Sequence, residues 1–344
     1  MIKMKVELGN IKYATIQMVG NKTRGDGVTF ASEISDMTES SPFIKTLVNN
    51  VFNFENIRHF DFVGSLSLNP VYTFVNEIFE DQSCFVKQSN NLARYLYDQS
   101  IHPNIKNGEL YILLIEGVTI GDTKTEALLM LKSEKKDAFL TVTNSEGKLC
   151  VKPTVGLGLK QIDKGCLVFN VQEDTGYIVT IVDNTNVSMD ARYWTDSFLH
   201  AVPYDDDFHR TKQMIDFCSG FAHLMKKKKP EKVLETMKAI NSVSGIFHCE
   251  QNVCLQRLEE LMSFSDDASS FLADYKAAFE EKNGPLPLSF QVYTNDSKVN
   301  NKLARMRTLK VGKEFEIKFL NPAVQIEKGY DPDKKKSFYK LYYV

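Results

Sequence analysis

Residues 110–132 read LYILLIEGVTIGDTKTEALLMLK. Leu110–Ile115 is an apolar run of strand length, bounded by polar residues and too short for a buried helix. Two strands are predicted from this stretch, Leu110–Val118 and Glu126–Lys132. A third, Phe139–Thr143, follows the charged loop Ser133-Glu134-Lys135-Lys136-Asp137, so the spacing predicts a hairpin between the last two. Gly165–Val171 and Gly176–Val182 flank the turn Gln172-Glu173-Asp174-Thr175. Consecutive strands joined by short links predict an antiparallel meander.

Outward from the strands the pattern becomes helical. Ser40-Ser41-Pro42 reads as a helix start, with Phe43, Ile44, Leu47, Val48 and Val51 as its apolar stripe. Asn69-Pro70 opens a second helix carrying Val71, Phe74, Val75, Ile78 and Phe79. A third covers roughly 83–101, with Leu92, Tyr95 and Leu96 inward. These helices are expected to cover one face of the sheet. Residues 5–32 read as one or two weak strands joined through the turn-rich loop 22–27.

From about 205 the helical period dominates. It runs through Met214, Phe217, Phe221 and Met225, then Val233, Met237, Ile240 and Val243. Leu255, Leu258 and Met262 mark a further helix, and Phe271, Leu272, Tyr275 and Phe279 another, stopped by Asn283-Gly284-Pro285. Phe315, Ile317 and Phe319 alternate with charged residues as a half-buried strand, and Phe338–Val344 reads as a last aromatic strand. The predicted fold class is α+β: helices on a mainly antiparallel sheet, then a helical segment and a small C-terminal β element. The expected division is an α+β domain over 1–200 and a helical segment ending in β structure over 201–344.

Of the 344 residues, 43% are hydrophobic and 25% charged, a globular composition rather than a disordered one. Net charge is -2 and the pI is about 6.3, whereas a wholly basic nucleic-acid-binding domain has a pI above about 9. Any DNA contact must therefore be local. The six cysteines are scattered, and Cys166 and Cys218 sit in apolar runs that suit reduced, buried thiols, so a reducing compartment is expected. No signal-like apolar stretch opens the sequence and no run of about 18 apolar residues occurs, which predicts a cytoplasmic protein without a membrane span.

Catalytic and cofactor motifs do not stand out. Gly156-Leu157-Gly158 lacks the third glycine and the strand–turn–helix setting of a dinucleotide loop, and reads as a turn. Neither a P-loop, nor H-E-x-x-H, nor G-x-S-x-G is present. His248-Cys249 with Cys254 is half of a zinc pattern whose second pair is missing. Asp205-Asp206-Asp207 reads as a helix cap. A metal-dependent nuclease would need Asp183, Asp196 and that triplet to converge. The protein is thus expected to bind rather than catalyse, with no cofactor and no metal.

Three basic features remain. Lys226, Lys227, Lys228 and Lys229 end the helix that begins near 208. Lys334, Lys335 and Lys336 occupy the final hairpin loop. Between them runs a loose series, Lys298, Lys302, Arg305, Arg307, Lys310 and Lys313. Residues 298–344 carry twelve Lys and Arg against five Asp and Glu, so this part holds the electrostatic footprint for nucleic acid if one exists. The candidate DNA contacts are the two lysine runs with Arg305, Arg307 and Lys310, and charge reversal of Lys334, Lys335 and Lys336 is expected to weaken binding to every sequence.

Several stretches in order resemble the 37-kDa bacterial nucleoid-associated proteins, the family that includes NdpA. They are Gly121-Asp122-Thr123-Lys124 with Ala127–Lys132, Leu159–Phe169, Val182-Asp183-Asn184-Thr185 with Ala191–Leu199, Phe208–Lys212, and Ile326–Asp331. The resemblance implies a cytoplasmic protein of the bacterial nucleoid that binds DNA directly or through nucleoid proteins. It supplies no catalytic set. Direct non-specific DNA binding through the basic C-terminal surface and docking on a partner protein both stay open, as does self-association. Trp194, with Tyr193 and Phe198, is expected to anchor the junction between the β and helical parts.

Overall fold

Residues 127–133 of the strand Thr123–Ser133 are buried on both sides, which is why the central sequence is continuously apolar. The computed structural model describes residues 5–145, 147–185, 193–294, 297–311, 313–320 and 325–342. The chain divides into two compact units, Met1–Tyr204 and Asp205–Val344. The first contains β1 (Val6–Glu7), β2 (Asn10–Val19), β3 (Val28–Thr29), α1 (Ser41–Val51), β4 (Ile57–Phe60), α2 (Pro70–Glu80), α3 (Phe85–Gln99), β5 (Gly108–Ile120) and β6 (Thr123–Ser133). It continues with β7 (Asp137–Ser145), β8 (Lys148–Gly156), β9 (Lys164–Phe169), β10 (Ile178–Asp183), a π-helical turn Tyr193–Phe198 and β11 (Ala201–Pro203).

Among the described residues nine strands form one antiparallel sheet in the order β11-β4-β10-β9-β6-β5-β2-β3, with β1 also on β5. Along β6, Leu128 and Met130 pack with Val71, Val75 and Ile78 of α2 and Leu92 and Leu96 of α3. Ala127, Leu129 and Leu131 point the other way, onto Ile44, Leu47 and Val48 of α1. Helices therefore cover both faces, not one, and such a strand has no polar alternation to show.

The predicted hairpin between Glu126–Lys132 and Phe139–Thr143 does not form. β6 has β5 on one edge and β9 on the other, while β7 pairs with β8 in a separate hairpin. All six residues of β9 are buried, so its apolar run takes the place beside β6. The charged link also leads out of the sheet, because the Asp163 carboxylate accepts hydrogen bonds from the backbone N–H groups of Glu134 and Lys135, at 2.6 and 2.8 Å. The pair β9–β10 closes as expected around residues 172–175.

At the end of that turn Gly176 has φ +92°, and a Cβ there would press into the Phe60 carbonyl. Gly176→Ala should cost about 1–3 kcal/mol from backbone conformation alone. Urea denaturation should show a lower midpoint with an unchanged slope.

The second unit contains α4 (Asp207–Lys228), α5 (Val233–Cys249), β12 (Asn252–Cys254), α6 (Leu255–Met262), α7 (Asp266–Asn283), β13 (Ser289–Gln291) and α8 (Ser297–Met306). Four short strands follow, β14 (Thr308–Val311), β15 (Phe315–Lys318), β16 (Gln325–Asp331) and β17 (Lys336–Tyr342). Tyr343 and Val344, the end of the expected last strand, lie outside the described residues. Asp206 caps α4 by accepting from His209 N–H at 2.8 Å, as the acidic triplet suggested. Phe217, Phe221 and Met225 of α4 share a core with Val243 and Phe247 of α5 and Leu303 of α8. The two terminal hairpins attach to α5 through Met237, Leu309, Phe319 and Ile326. Helix α8 is not among the expected helices. Val299, Leu303 and Met306 recur at helical spacing, but the basic residues between them hide so narrow a stripe.

Candidate nucleic-acid interface

Four residues of α4, namely Ser219, Ala222, His223 and Lys226, recur at i, i+3, i+4 and i+7 and so form one stripe of the helix. Facing them on α8 are Asn301, Lys302, Arg305 and Met306, and together these eight line a cavity of about 620 Å³. No carboxylate lines it. Lys226 is half-buried, and burial pushes its ammonium below the usual lysine range. Neither Lys226 nor Arg305 has an ion pair among the described residues. Lys302 is paired with Asp216, one helical turn before Ser219's end of the stripe. The result is an anion seat: a guanidinium able to grip two oxygens of one phosphate, two ammonium groups, and hydroxyl and amide donors.

Of the ten residues expected to contact DNA, the structure brings only Lys226 and Arg305 into this groove. Lys227 and Lys228 are exposed at the end of α4, and no ion pair joins them to another described residue. Lys229 is drawn to Asp267 at 3.3 Å, which also holds Lys232 at 3.1 Å. Arg307 donates to His248 Nε2 at 3.2 Å, and burial together with that guanidinium lowers the His248 pKa. Lys310 lies 3.5 Å from Glu316 across the β14–β15 hairpin. In the β16–β17 turn, Asp331 accepts from the N–H groups of Asp333 and Lys334, leaving Lys335 and Lys336 exposed at the tip. Lys302, His223, Ser219 and Asn301 complete the seat and were not among the expected contacts. Their signal was the α4 stripe and the spacing of Lys302 from Arg305, legible only once α8 is known to be a helix.

A family model described as nucleoid-associated protein YejK matches residues 16–336. The chain belongs to this family. No curated protein matches it.

The family match spans a second polar feature, buried in the first unit. Lys132 on β6 and Lys164 on β9 are cross-strand neighbours, and both are wholly buried. Lys132 Nζ sits 3.2 Å from Glu134 and donates to the Lys106 carbonyl at 3.0 Å. Lys164 Nζ is 2.7 Å from Asp183. The Tyr193 ring lies 5.8 Å from the first ammonium and 4.9 Å from the second, and its hydroxyl donates to Glu134 at 3.0 Å. Burial pushes Lys132 down against the pull of Glu134, and pushes Asp183 up against the hydrogen bond from Lys164. In both, burial outweighs pairing, so these charges are held at a cost in stability.

The stretches that carry the family resemblance meet here: Lys132, Asp163–Gly165, Asp183 and Tyr193-Trp194. Ala191 and Arg192 of the same stretches lie outside the described residues. Trp194 is fully buried in the core of the first unit, packed at 5.0 Å against Phe198, with Nε1 donating to the Gly165 carbonyl at 3.2 Å. These contacts lie within the first unit, in the core that the sheet shares with α2 and α3. Asp183, which a nuclease centre would have needed, is committed to Lys164. Among the described residues no helix is long and apolar enough to cross a membrane.

Proposed function

We propose that this nucleoid-associated protein works by binding DNA directly, without sequence preference and without catalysis, and that the groove between α4 and α8 is its principal phosphate seat. The observation that carries the reading is the convergence of Lys226, Lys302 and Arg305 on one cavity with no carboxylate in its lining. A phosphodiester supplies the anion that Lys226 and Arg305 lack, and contacts of this kind position a duplex without reading its bases. The exposed Lys227 and Lys228 extend the cationic surface from the end of α4. An overall charge of -2 is no obstacle, because affinity depends on where the cations stand.

Titration of a long random-sequence duplex from low to moderate salt tests the proposal. Binding should weaken linearly on a log–log plot, with a slope of about -0.9 per phosphate contact. Glutamate at Lys334, Lys335 and Lys336 should have a smaller effect than changes in the groove, because that turn offers no enclosed seat. Absence of binding at low salt would overturn direct contact and leave attachment through a nucleoid protein.

A further inference from the structure

The groove between α4 and α8 has a floor and a rim. Ala222 and Met306 are buried at its floor, Lys226 is half-buried on the α4 wall, and His223, Asn301 and Arg305 are exposed at the rim. Of its three cations Lys302 already has Asp216. Two positive charges, Lys226 on one helix and Arg305 on the other, have no ion pair among the described residues. Packed helices lie about 8–10 Å apart, and a double helix is too wide to pass between them. The phosphates along a duplex are flanked by sugars on both sides, so they meet the rim. A group that fills the groove down to Lys226 must project from the end of a strand.

The charge count points the same way. A terminal phosphate carries about -1.5 to -2 at neutral pH and offers three free oxygens. An internal phosphodiester carries a single charge and offers two. A guanidinium takes two oxygens of one phosphate side by side, and an ammonium meets the third as a point charge. Two unpaired cations on opposite walls therefore match a dianion, whereas an internal phosphodiester would leave one of them unanswered. The cavity of about 620 Å³ also leaves room for the terminal sugar behind the phosphate, and Ala222 and Met306 offer that sugar an uncharged surface.

We propose that this groove holds the terminal phosphate of a DNA strand more tightly than the phosphates along it, so that the protein favours phosphorylated ends over unbroken duplex. The inference rests on the direct DNA binding proposed above. A free phosphomonoester has the same terminal chemistry, but it lacks the neighbouring phosphates that the exposed Lys227 and Lys228 meet at the end of α4.

Equilibrium binding of the full chain to one short duplex tests it, with the ends carrying 5′-phosphates, 3′-phosphates or hydroxyls only, beside a closed circular duplex. One of the phosphorylated forms should bind about tenfold more tightly than the hydroxyl form, the gain from roughly one further charge contact. Lys226→Gln with Arg305→Gln should bring the three forms to one affinity. Lys227→Gln with Lys228→Gln should weaken all three and keep their ratio. Thymidine 3′,5′-bisphosphate should displace the phosphorylated end only at concentrations on the order of a hundred times higher, because it engages one site where the duplex engages several. Equal affinity for the three forms, with the closed circle still bound, would overturn the preference for ends and leave direct DNA binding standing. Failure of every form to bind, the circle included, would overturn both. A ratio that survives the loss of Lys226 and Arg305 would overturn the assignment of the groove. Displacement by the bisphosphate at the concentration of the duplex end would also overturn it, by giving the groove to a free phosphomonoester.

Discussion

Glutamine at Lys226 and Arg305 together should lower DNA affinity by one to two orders of magnitude at about 0.1 M salt, without altering which sequences are bound. The size of the effect follows from counterion release. Each phosphate contact contributes about 0.9 to the slope of log affinity against log salt, which is roughly eightfold per contact between 1 M and 0.1 M. Removing two cations from the phosphates gives a factor of about 60, and the slope itself should fall by nearly two. Glutamine is preferable to glutamate because it removes the charge without adding repulsion. Lys310→Gln is the matched control, since its ammonium already lies near Glu316. An unchanged salt slope in the double variant would remove the groove from the interface, even if affinity fell for other reasons.

Lys164→Ala should destabilise the first unit by about 3 kcal/mol, because the half-buried carboxylate of Asp183 would then lose the ammonium that pairs it. In a unit of this size that is a fall in melting temperature on the order of 10 °C. The informative companion is Lys164→Met with Asp183→Leu, which removes both charges and keeps the volume apolar. Replacing a buried pair in this way is commonly neutral or stabilising by about 1–4 kcal/mol, so the double variant should recover most of the loss. If the double variant were as unstable as the single one, the network would owe its effect to Tyr193 and shape rather than to charge. DNA binding by the double variant should be unchanged, since the groove between α4 and α8 lies in the other unit.

Much of the fold was legible because the period of the apolar residues is a direct trace of what they face. Val71, Val75 and Ile78 declared α2, and Phe217, Phe221 and Met225 declared α4. Strand partners were less legible, because pairing is settled by competition among strands. Phe139–Thr143 has the length and chemistry to pair with β6, but β9 is the more apolar competitor and the Asp163 carboxylate turns the intervening chain away. The site was legible only in part. Composition marked 226–229 and 298–344 as basic, yet it could not sort Lys229, Arg307 and Lys310, which have partners, from Lys226 and Arg305, which have no ion pair among the described residues. The buried lysines were hidden for the opposite reason. Lys132 ends an apolar strand, where a lysine ordinarily reaches back to water.

The order of strands in the first unit also sets a clock on its synthesis. Arg58 of β4 pairs with Val179 of β10, and Phe60 with Ala201 of β11. At about 5–20 residues per second, β4 leaves the ribosome some 6–24 seconds before β10 exists. Ile57 and Phe60, like the apolar stripe of α1 before them, therefore spend that interval without their final neighbours. The sheet cannot be completed from its N-terminal end, and the nascent chain must be kept from aggregating until residues near 200 emerge.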